Sequence, residues 1–142
     1  MLAEEVDFHR IFKINPTIMV LLTPDLVIID ANDEALRAVG RLPEEVIGRN
    51  CFDIVPKMQD SSGNPEWTAL EEAARSGHRE ACVLKRQDIQ DPATPGLFEE
   101  RYWSTMVRPI HGLDGQVEML ELSAREMTPI IEQYRRQQAD QA

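Results

Sequence analysis

Residues 17–32 read Thr-Ile-Met-Val-Leu-Leu-Thr-Pro-Asp-Leu-Val-Ile-Ile-Asp-Ala-Asn, which is two short apolar runs around a Pro-Asp pair. Runs rich in aliphatic and β-branched residues are typical of β-strands, and Pro-Asp is typical of a turn. We therefore predict a β-hairpin with strands at residues 17–23 and 26–30. Asn32 follows where its side-chain oxygen can cap a helix, which we predict over residues 31–40.

Helical patterns stand on both sides of this hairpin. Residues 1–15 predict a flanking helix with acidic residues early and basic residues late, an order that suits the helix dipole. The Asn-Pro pair that follows ends it, because the residue before a proline is pushed out of the helical region. After the hairpin we predict short helical turns at residues 43–47 and 51–55, and a longer amphipathic helix at residues 65–76.

The remainder of the chain is mostly extended. Strand-like runs occupy residues 79–88, 98–110 and 116–124, and the Asp-Gly pair between the last two is typical of a hairpin turn. Apolar residues stand on both faces of these last two strands, so alternation does not assign an inner face, not even to Trp103. Thr128 is expected to cap a final helix, with a proline at the first helical position.

The composition predicts one acidic globular domain. The chain has 142 residues, with 15 Lys and Arg against 25 Asp and Glu, for a formal net charge of −10 at pH 7. Scattered basic residues cannot form the cationic surface that phosphate neutralisation needs, so we expect no nucleic-acid partner. The longest apolar run, residues 18–22, is strand-sized, so we expect no membrane insertion. The N terminus lacks the pattern of a signal peptide, which favours a cytoplasmic location.

The sequence contains no recognisable catalytic or metal-binding motif. G-x-S-x-G, the glycine-rich phosphate motifs and H-E-x-x-H are all absent. Paired glutamates such as Glu44-Glu45 are sequence neighbours, which point in different directions and do not form a catalytic dyad. Cys51 and Cys82 are far apart without a CxxC, and the three histidines are widely spaced, so we predict reduced thiols and no metal site. We therefore expect that the chain is not an enzyme.

The order of the predicted elements suits a five-stranded antiparallel sheet with helices on one face. Several short motifs stand along that order: Asp30-Ala31-Asn32, Glu44-Glu45-Val46-Ile47-Gly48-Arg49, Phe52-Asp53-Ile54, Gly96-Leu97-Phe98-Glu99-Glu100-Arg101-Tyr102-Trp103-Ser104 and Glu126-Met127-Thr128. Together they resemble the motifs of PAS domains, in the sensory-box subgroup that has G-x-F-E-E-R-Y-W before the penultimate strand. The resemblance covers about residues 8–128.

This resemblance implies an α+β fold, in which a PAS-like five-stranded antiparallel sheet has helices on one face and a flanking helix at each end. It implies an N-terminal flanking helix at residues 1–15, a PAS-like sensor domain at 16–128, and a C-terminal linker or output helix at 129–142. The implied function is a non-catalytic sensory or interaction module of bacterial signal transduction, as in two-component systems. It would be a regulatory part of a histidine kinase or a similar effector.

The resemblance also implies two kinds of site. A ligand cavity between helices and sheet has these candidate lining residues: Cys51, Phe52, Trp67, Leu70, Trp103 and Ser104. For the two tryptophans, ordinary core packing or a dimer contact is the alternative. A signal is expected to pass along residues 116–124 to the helix after Thr128. Glu126 belongs to this signal junction, where the family usually has an aspartate, which is one methylene shorter.

No cofactor is predicted, and the sequence argues against both flavin and haem. Light-oxygen-voltage domains, a PAS subgroup, carry a reactive cysteine within G-x-N-C-R-F-L-Q, and Gly48-Arg-Asn-Cys51 matches only the first half. Phe52-Asp53-Ile54-Val55 replaces the phosphate-contacting arginine and the glutamine of that motif. Ser104 and Lys85-Arg86-Gln87 stand where that subgroup has asparagines. Haem-binding PAS domains use an axial histidine on the long helix, whereas His78 follows the predicted end of that helix.

We expect a homodimer formed through the flanking helices. Their apolar residues suited to such contacts are Phe8, Ile11 and Phe12, or Ile130, Ile131 and Tyr134. A small-molecule ligand and an effector domain or partner protein are the other expected partners. Two alternatives to a ligand sensor stay open. One is a homodimerisation module with a filled core and no ligand, and the other is a small enzyme on a similar scaffold.

Overall fold

The structure is a computed structural model and describes residues 1–54, 65–86, 89–90, 93–99 and 101–141. After a 3-10 turn at Ala3–Glu5, its helices are α1 (Phe8–Ile14), α2 (Asp33–Val39), α3 (Pro43–Val46), α4 (Cys51–Ile54), α5 (Pro65–Ser76) and α6 (Thr128–Asp140). Its strands are β1 (Ile18–Leu22), β2 (Ile28–Ala31), β3 (Glu80–Arg86), β4 (Ile89–Gln90), β5 (Phe98–Glu99), β6 (Tyr102–His111) and β7 (Val117–Glu126).

Five strands form one antiparallel sheet in the order β2-β1-β7-β6-β3, and β4 and β5 form a separate two-stranded pair. The long helix α5 packs against β3, β6 and β7, while α2 packs against β1. This architecture confirms the predicted α+β fold with a five-stranded antiparallel sheet. Within the part of the chain that the structure describes, no helix is long and apolar enough to cross a membrane.

The first predicted hairpin forms β1 and β2, and Asn32 directly follows it. The Asn32 side chain is fully buried, and its Oδ1 accepts from the backbone N–H groups of Met19 and Ala35 at 3.1 and 3.0 Å. Its Nδ2 donates to the backbone carbonyls of Asn15 and Thr17 at 3.2 and 2.7 Å. Asn32 therefore caps α2 as predicted, and it also ties the hairpin to the segment before β1.

The N-terminal segment differs from the single helix predicted for it. It contains the short turn at Ala3–Glu5, and α1 begins only after Asp7. Asp7 Oδ1 accepts a hydrogen bond from the Arg10 backbone N–H at 3.0 Å. An aspartate that caps a new helix in this way competes with a helix that continues through it, which accounts for the division.

Polar contacts hold α1 against the end of β2 and the start of α2. Lys13 Nζ donates to the Ala31 carbonyl at 2.8 Å and lies 3.6 Å from Asp33 Oδ1. His9 Nε2 lies 3.0 Å from Asp30 Oδ2. Three apolar side chains of α1 are exposed, with Phe8 at 64%, Ile11 at 49% and Ile14 at 65%, whereas Phe12 is half-buried.

The strand predicted at residues 98–110 is divided between two sheets. Its first part, β5, pairs with β4, whereas β6 pairs with β3. Arg101 belongs to neither strand, and the described pairs that flank it in the two ladders share one register. The prediction of one uninterrupted strand is wrong at this point, because alternation along a segment does not show where its partner strand stops pairing.

The last predicted hairpin joins β6 to β7 through the Asp-Gly turn. Gly115 has a φ of +81°, and Asp114 Oδ1 accepts from the Gln116 backbone N–H at 3.0 Å. The prediction of this hairpin is confirmed. Strand β7 runs to Glu126, beyond its predicted end at residue 124, so the proposed signal junction begins inside the strand.

The sheet has one face that is buried under the helices, which we call the inner face. Leu22, Val107 and Leu120 are fully buried on this face, and Leu22 is paired directly with Leu120. Residues paired across an antiparallel sheet point to the same side, so this pairing assigns the faces that alternation alone left open. The other face, the outer face, carries Met106 and Glu121, and Glu121 accepts from Arg108 at 2.8 Å.

Candidate functional site

Thr105 places a hydroxyl group on the inner face, two positions before Val107 on β6. The residue is 3% exposed and is paired with Ala124 of β7 and Cys82 of β3. A hydroxyl on a buried apolar surface can orient a bound molecule by accepting or donating a hydrogen bond. Thr105 was not predicted from the sequence, because only the pairing of β6 with β7 identifies the face on which it lies.

Three of the six predicted cavity residues come together in or against one core cluster. Cys51 and Leu70 are buried members of that cluster, and Phe52 packs against it while partly exposed. The Cys51 backbone N–H donates to the Leu26 carbonyl at 3.0 Å, and Asn50 Oδ1 accepts from the Phe52 backbone N–H at 2.9 Å. The role of these residues in binding a ligand stays a prediction.

The Cys51 thiol is chemically quiet in this setting. Burial raises its pKa to about 11, and the nearby Asp53 carboxylate acts in the same direction. Backbone N–H groups oppose this shift in the Cys51 pKa but do not offset the burial. The side chain is therefore a protonated thiol at neutral pH, and a thiol is a poor nucleophile compared with a thiolate.

Trp103 and Ser104 lie on opposite faces of the sheet. Trp103 shares the inner face with Thr105, and it is paired with Glu126 of β7 and Lys85 of β3. Ser104 is half-buried on the outer face, so the structure does not bring it together with the other candidates. Trp67 belongs to α5, but its side chain lies outside the part of the chain that the structure describes.

The sheet and the C-terminal helix meet at a group of five residues, which we call the junction: Arg101, Tyr102, Glu126, Thr128 and Arg135. Within it, Glu126 forms an ion pair with Arg101, and both side chains are about two-thirds buried, with exposures of 31% and 27%. Glu126, which stands where the family usually has an aspartate, therefore has a cationic partner despite its extra methylene. The partner arginine directly precedes β6.

Thr128 and Met127 each form a hydrogen bond with the backbone of Tyr102. The Tyr102 N–H donates to Thr128 Oγ1 at 2.9 Å, and its carbonyl accepts from the Met127 N–H at 2.7 Å. The predicted capping role of Thr128 is wrong, since Met127 occupies the cap position without a side-chain hydrogen bond. The Thr128 hydroxyl instead accepts a hydrogen bond from β6. Thr128 is buried, so little water reaches that hydrogen bond.

Arg135 adds a contact from farther along α6. Its terminal guanidinium nitrogen donates to the Tyr102 hydroxyl at 2.8 Å, and its guanidinium carbon lies 5.3 Å from the centre of the tyrosine ring. This is cation–π geometry. The sequence did not predict the junction residues Arg101, Tyr102 and Arg135, because their contacts join segments that are far apart along the chain.

The histidines lie at the surface. His78 follows Gly77 at the end of α5 and is exposed, as are His9 and His111. Among the residues that the structure describes, no group of three or more His, Cys, Asp or Glu side chains is placed to hold a metal ion.

Comparisons with known proteins identify a family and two curated relatives. A family model described as the PAS fold matches residues 13–129. A blue-light-activated histidine kinase from Rhizobium johnstonii is 33% identical over 120 residues, which cover 84% of this chain and 30% of that protein. A 4-hydroxy-tetrahydrodipicolinate synthase from Pseudomonas aeruginosa is 30% identical over 100 residues, which cover 69% of this chain and 32% of that protein. The chain thus spans about a third of the length of these curated relatives.

A solved structure shows the same architecture. An RNA-binding light-oxygen-voltage receptor superposes with a TM-score of 0.67 at 25% sequence identity, over 94% of this chain and 35% of that one.

Proposed function

Because this chain belongs to the PAS fold family, we propose that it is a non-catalytic sensory module of signal transduction, in which the inner face takes a small ligand and α6 carries the response. The similarity to a histidine kinase over 84% of the chain supports the signalling role. The observation that carries the proposal is the course of β6. This strand presents Thr105 on the inner face, and its first residue contacts α6.

A ligand changes the state of such a module only if it binds two arrangements with different affinity. A ligand that contacts Thr105 favours one position of β6 relative to its neighbours. A shift of β6 is passed to α6 through Tyr102, and a shift of β7 is passed through Met127. We also propose that an effector responds to α6, either a histidine kinase domain or a partner protein.

The residues of this chain do not fit a flavin, although two of its relatives are named for responses to light. In light-oxygen-voltage domains an arginine follows the reactive cysteine, whereas here the next residue is Phe52, which packs against the core. Cys51 itself lies in the core and is only 8% exposed. We therefore propose a ligand other than flavin, and we derive no photochemical step.

Native mass spectrometry beside a denatured mass tests the ligand. We expect extra mass that is lost on denaturation, in the wild-type protein and in Ser104→Ala, which alters the outer face. Thr105→Val keeps the shape of the side chain but removes the inner-face hydroxyl, so it should raise the dissociation constant about ten-fold, the size expected for one lost hydrogen bond, and lower the bound fraction accordingly. An absorbance spectrum of the same samples reports any flavin or haem.

Two results would contradict this proposal. Equal extra mass in Thr105→Val and Ser104→Ala would remove Thr105 from the site. Bare chains, together with unfolding temperatures that no small molecule shifts, would favour the ligand-free alternative.

The second candidate is a homodimerisation module without a ligand. It is favoured by exposed apolar side chains on both flanking helices: Phe8, Ile11 and Ile14 on α1, and Ile130 and Tyr134 on α6. Phe12 and Ile131 are more buried, so they are less available for a dimer contact than predicted. Light scattering after size-exclusion chromatography tests this candidate, because a dimeriser shows concentration-dependent mass whether or not a ligand is present.

A further inference from the structure

Tyr102 contacts α6 at two places along the helix. At the start of α6, the Tyr102 backbone N–H donates to Thr128 Oγ1 at 2.9 Å, and its carbonyl accepts from the Met127 N–H at 2.7 Å. Farther along, the Tyr102 hydroxyl accepts from Arg135 at 2.8 Å, and the guanidinium lies over the ring at 5.3 Å. One residue of the sheet thus contacts both the beginning and the middle of the helix.

The spacing of these contacts fixes more than the position of one helix end. Thr128 and Arg135 lie on the same side of α6, because residues seven positions apart are close to two full turns apart. A single contact at Thr128 would leave the helix free to pivot about its first turn. A second contact two turns later also fixes the direction in which α6 leaves the sheet.

We propose that Tyr102 is the positioning residue through which the sheet sets the direction of α6, with Arg135 holding the helix against it. This inference deepens the proposed function, and it rests on that function only for the claim that the direction of α6 carries the response. Chain continuity alone would make β7 the strand that sets the direction of α6, whereas this inference gives that role to β6. Strand β7 leads into the helix, and β6 determines where the helix points.

The neighbour of Tyr102 connects this contact to the inner face. Trp103 lies on the inner face with Thr105, whereas Tyr102 lies on the opposite side of the strand. The two residues share a peptide bond, so a molecule on the inner face that displaces the Trp103 backbone also moves the Tyr102 backbone. The Tyr102 backbone forms hydrogen bonds with Met127 and Thr128.

The strength of the Arg135 contact suits a reversible device. Arg135 is exposed, and cation–π contacts at exposed sites are modest, so its loss is expected to raise the local opening of α6 about five-fold. A contact of this size holds the helix in one direction for most of the time. A ligand with a modest preference for the other arrangement would be enough to release it.

Hydrogen–deuterium exchange of the full chain without added ligand tests the proposal. We compare Arg135→Gln with Arg136→Gln, since Arg136 is the adjacent exposed arginine on the same helix and makes the matched control. We expect the α6 amides of Arg135→Gln to exchange about five-fold faster, with the control unchanged. The amides of β6 and β7 should be unaffected in both. Arg135→Lys, which keeps a cation and a donor, should restore part of the protection.

Tyr102→Leu then tests whether the two side chains act together. If they do, the double variant Tyr102→Leu/Arg135→Gln exchanges no faster in α6 than Tyr102→Leu does. Equal exchange in Arg135→Gln and Arg136→Gln, or additive effects in the double variant, would overturn the proposal. If Tyr102→Leu unfolds the domain, the two arginine variants and Arg135→Lys decide. No ligand is added to any sample, and every variant keeps Thr105, so the comparison between variants does not depend on whether the inner face binds a ligand.

Discussion

Cys51 lies at the start of α4, in the core between the first hairpin and the helices, and is 8% exposed. The same removal from water that makes this side chain a good packing group makes its charged form unfavourable. Burial is the largest cause of the rise in the Cys51 pKa to about 11. The ionisation of one thiol is thereby linked to the folding of the domain.

We expect the free energy of unfolding to fall as the pH rises from about 9 to about 11. The unfolded chain loses the Cys51 proton near its ordinary pKa of 9.0, whereas the folded chain keeps it until about 11. Over this interval the native state binds more protons than the unfolded state, so the free energy of unfolding declines by about 3 kcal/mol in total, with no effect below this range.

Denaturant unfolding of the wild-type protein and Cys51→Ala across this range measures the effect. All other ionisable groups are common to the two proteins, so the difference between their pH profiles isolates Cys51. Parallel profiles would contradict the prediction.

Side chains differ in how far their roles could be predicted from the sequence. The capping role of Asn32 was predictable, because the cap and the helix it serves are neighbours along the chain. Thr128 has the same chemistry next to a helix, yet its hydroxyl binds Tyr102, which is 26 residues away. A local pattern identifies the oxygen but does not show a distant donor that competes for it.

Among the helices, α2 and α5 end in the same way but in different surroundings. Each is followed by a glycine in the left-handed region, with φ of +66° at Gly40 and +73° at Gly77. A Cβ at Gly40 would meet nothing within 4 Å. A Cβ at Gly77 would lie 3.0 Å from His111 Nε2 and 3.6 Å from Val117 Cγ2, because the end of α5 packs on the β6–β7 hairpin.

We expect Gly77→Ala to destabilise the protein more than Gly40→Ala. Both substitutions place alanine in a left-handed conformation, which costs about 1 kcal/mol. Gly77→Ala must also displace the His111 ring, so its loss should be about twice as large. Chemical denaturation gives both values, and His111→Ala supplies the control by removing the obstacle. If Gly77→Ala were no more harmful than Gly40→Ala, the ring would have to move without cost.

At the scale of elements, turn chemistry was the reliable guide. Both tight hairpins were predicted from Pro-Asp and Asp-Gly pairs, since a turn is specified by a few adjacent residues. The division between β5 and β6 was not predicted, because it depends on where β3 and β4 stop pairing with them. The face occupied by Trp103 likewise became clear only from the pairing of β6 with β7.

The whole molecule carries a large excess of negative charge. The 25 acidic residues exceed the 15 basic ones, and the formal net charge is −10. Surface ion pairs such as Arg75–Glu72 offset little of this excess, since exposed pairs contribute weakly. Self-repulsion at this charge disfavours the compact state, and dissolved ions screen it.

We expect added sodium chloride to raise the midpoint of thermal unfolding. The rise should be smaller in the double variant Glu71→Lys/Glu118→Lys, which changes two exposed side chains and the net charge by four units. Calorimetry at low and high salt measures both. A midpoint that falls with salt would mean that favourable ion pairs outweigh the repulsion.

The order of strands in the sheet also affects how the chain reaches its fold. Strand β7 stands in the middle, bonded to β1 on one side and β6 on the other, although it is the last strand in the sequence. During synthesis, the earlier hairpins leave the ribosome before the strand that joins them has been made. They must wait as separate pieces with exposed apolar surface, and the long-range pairing of β1 with β7 closes the sheet only at the end.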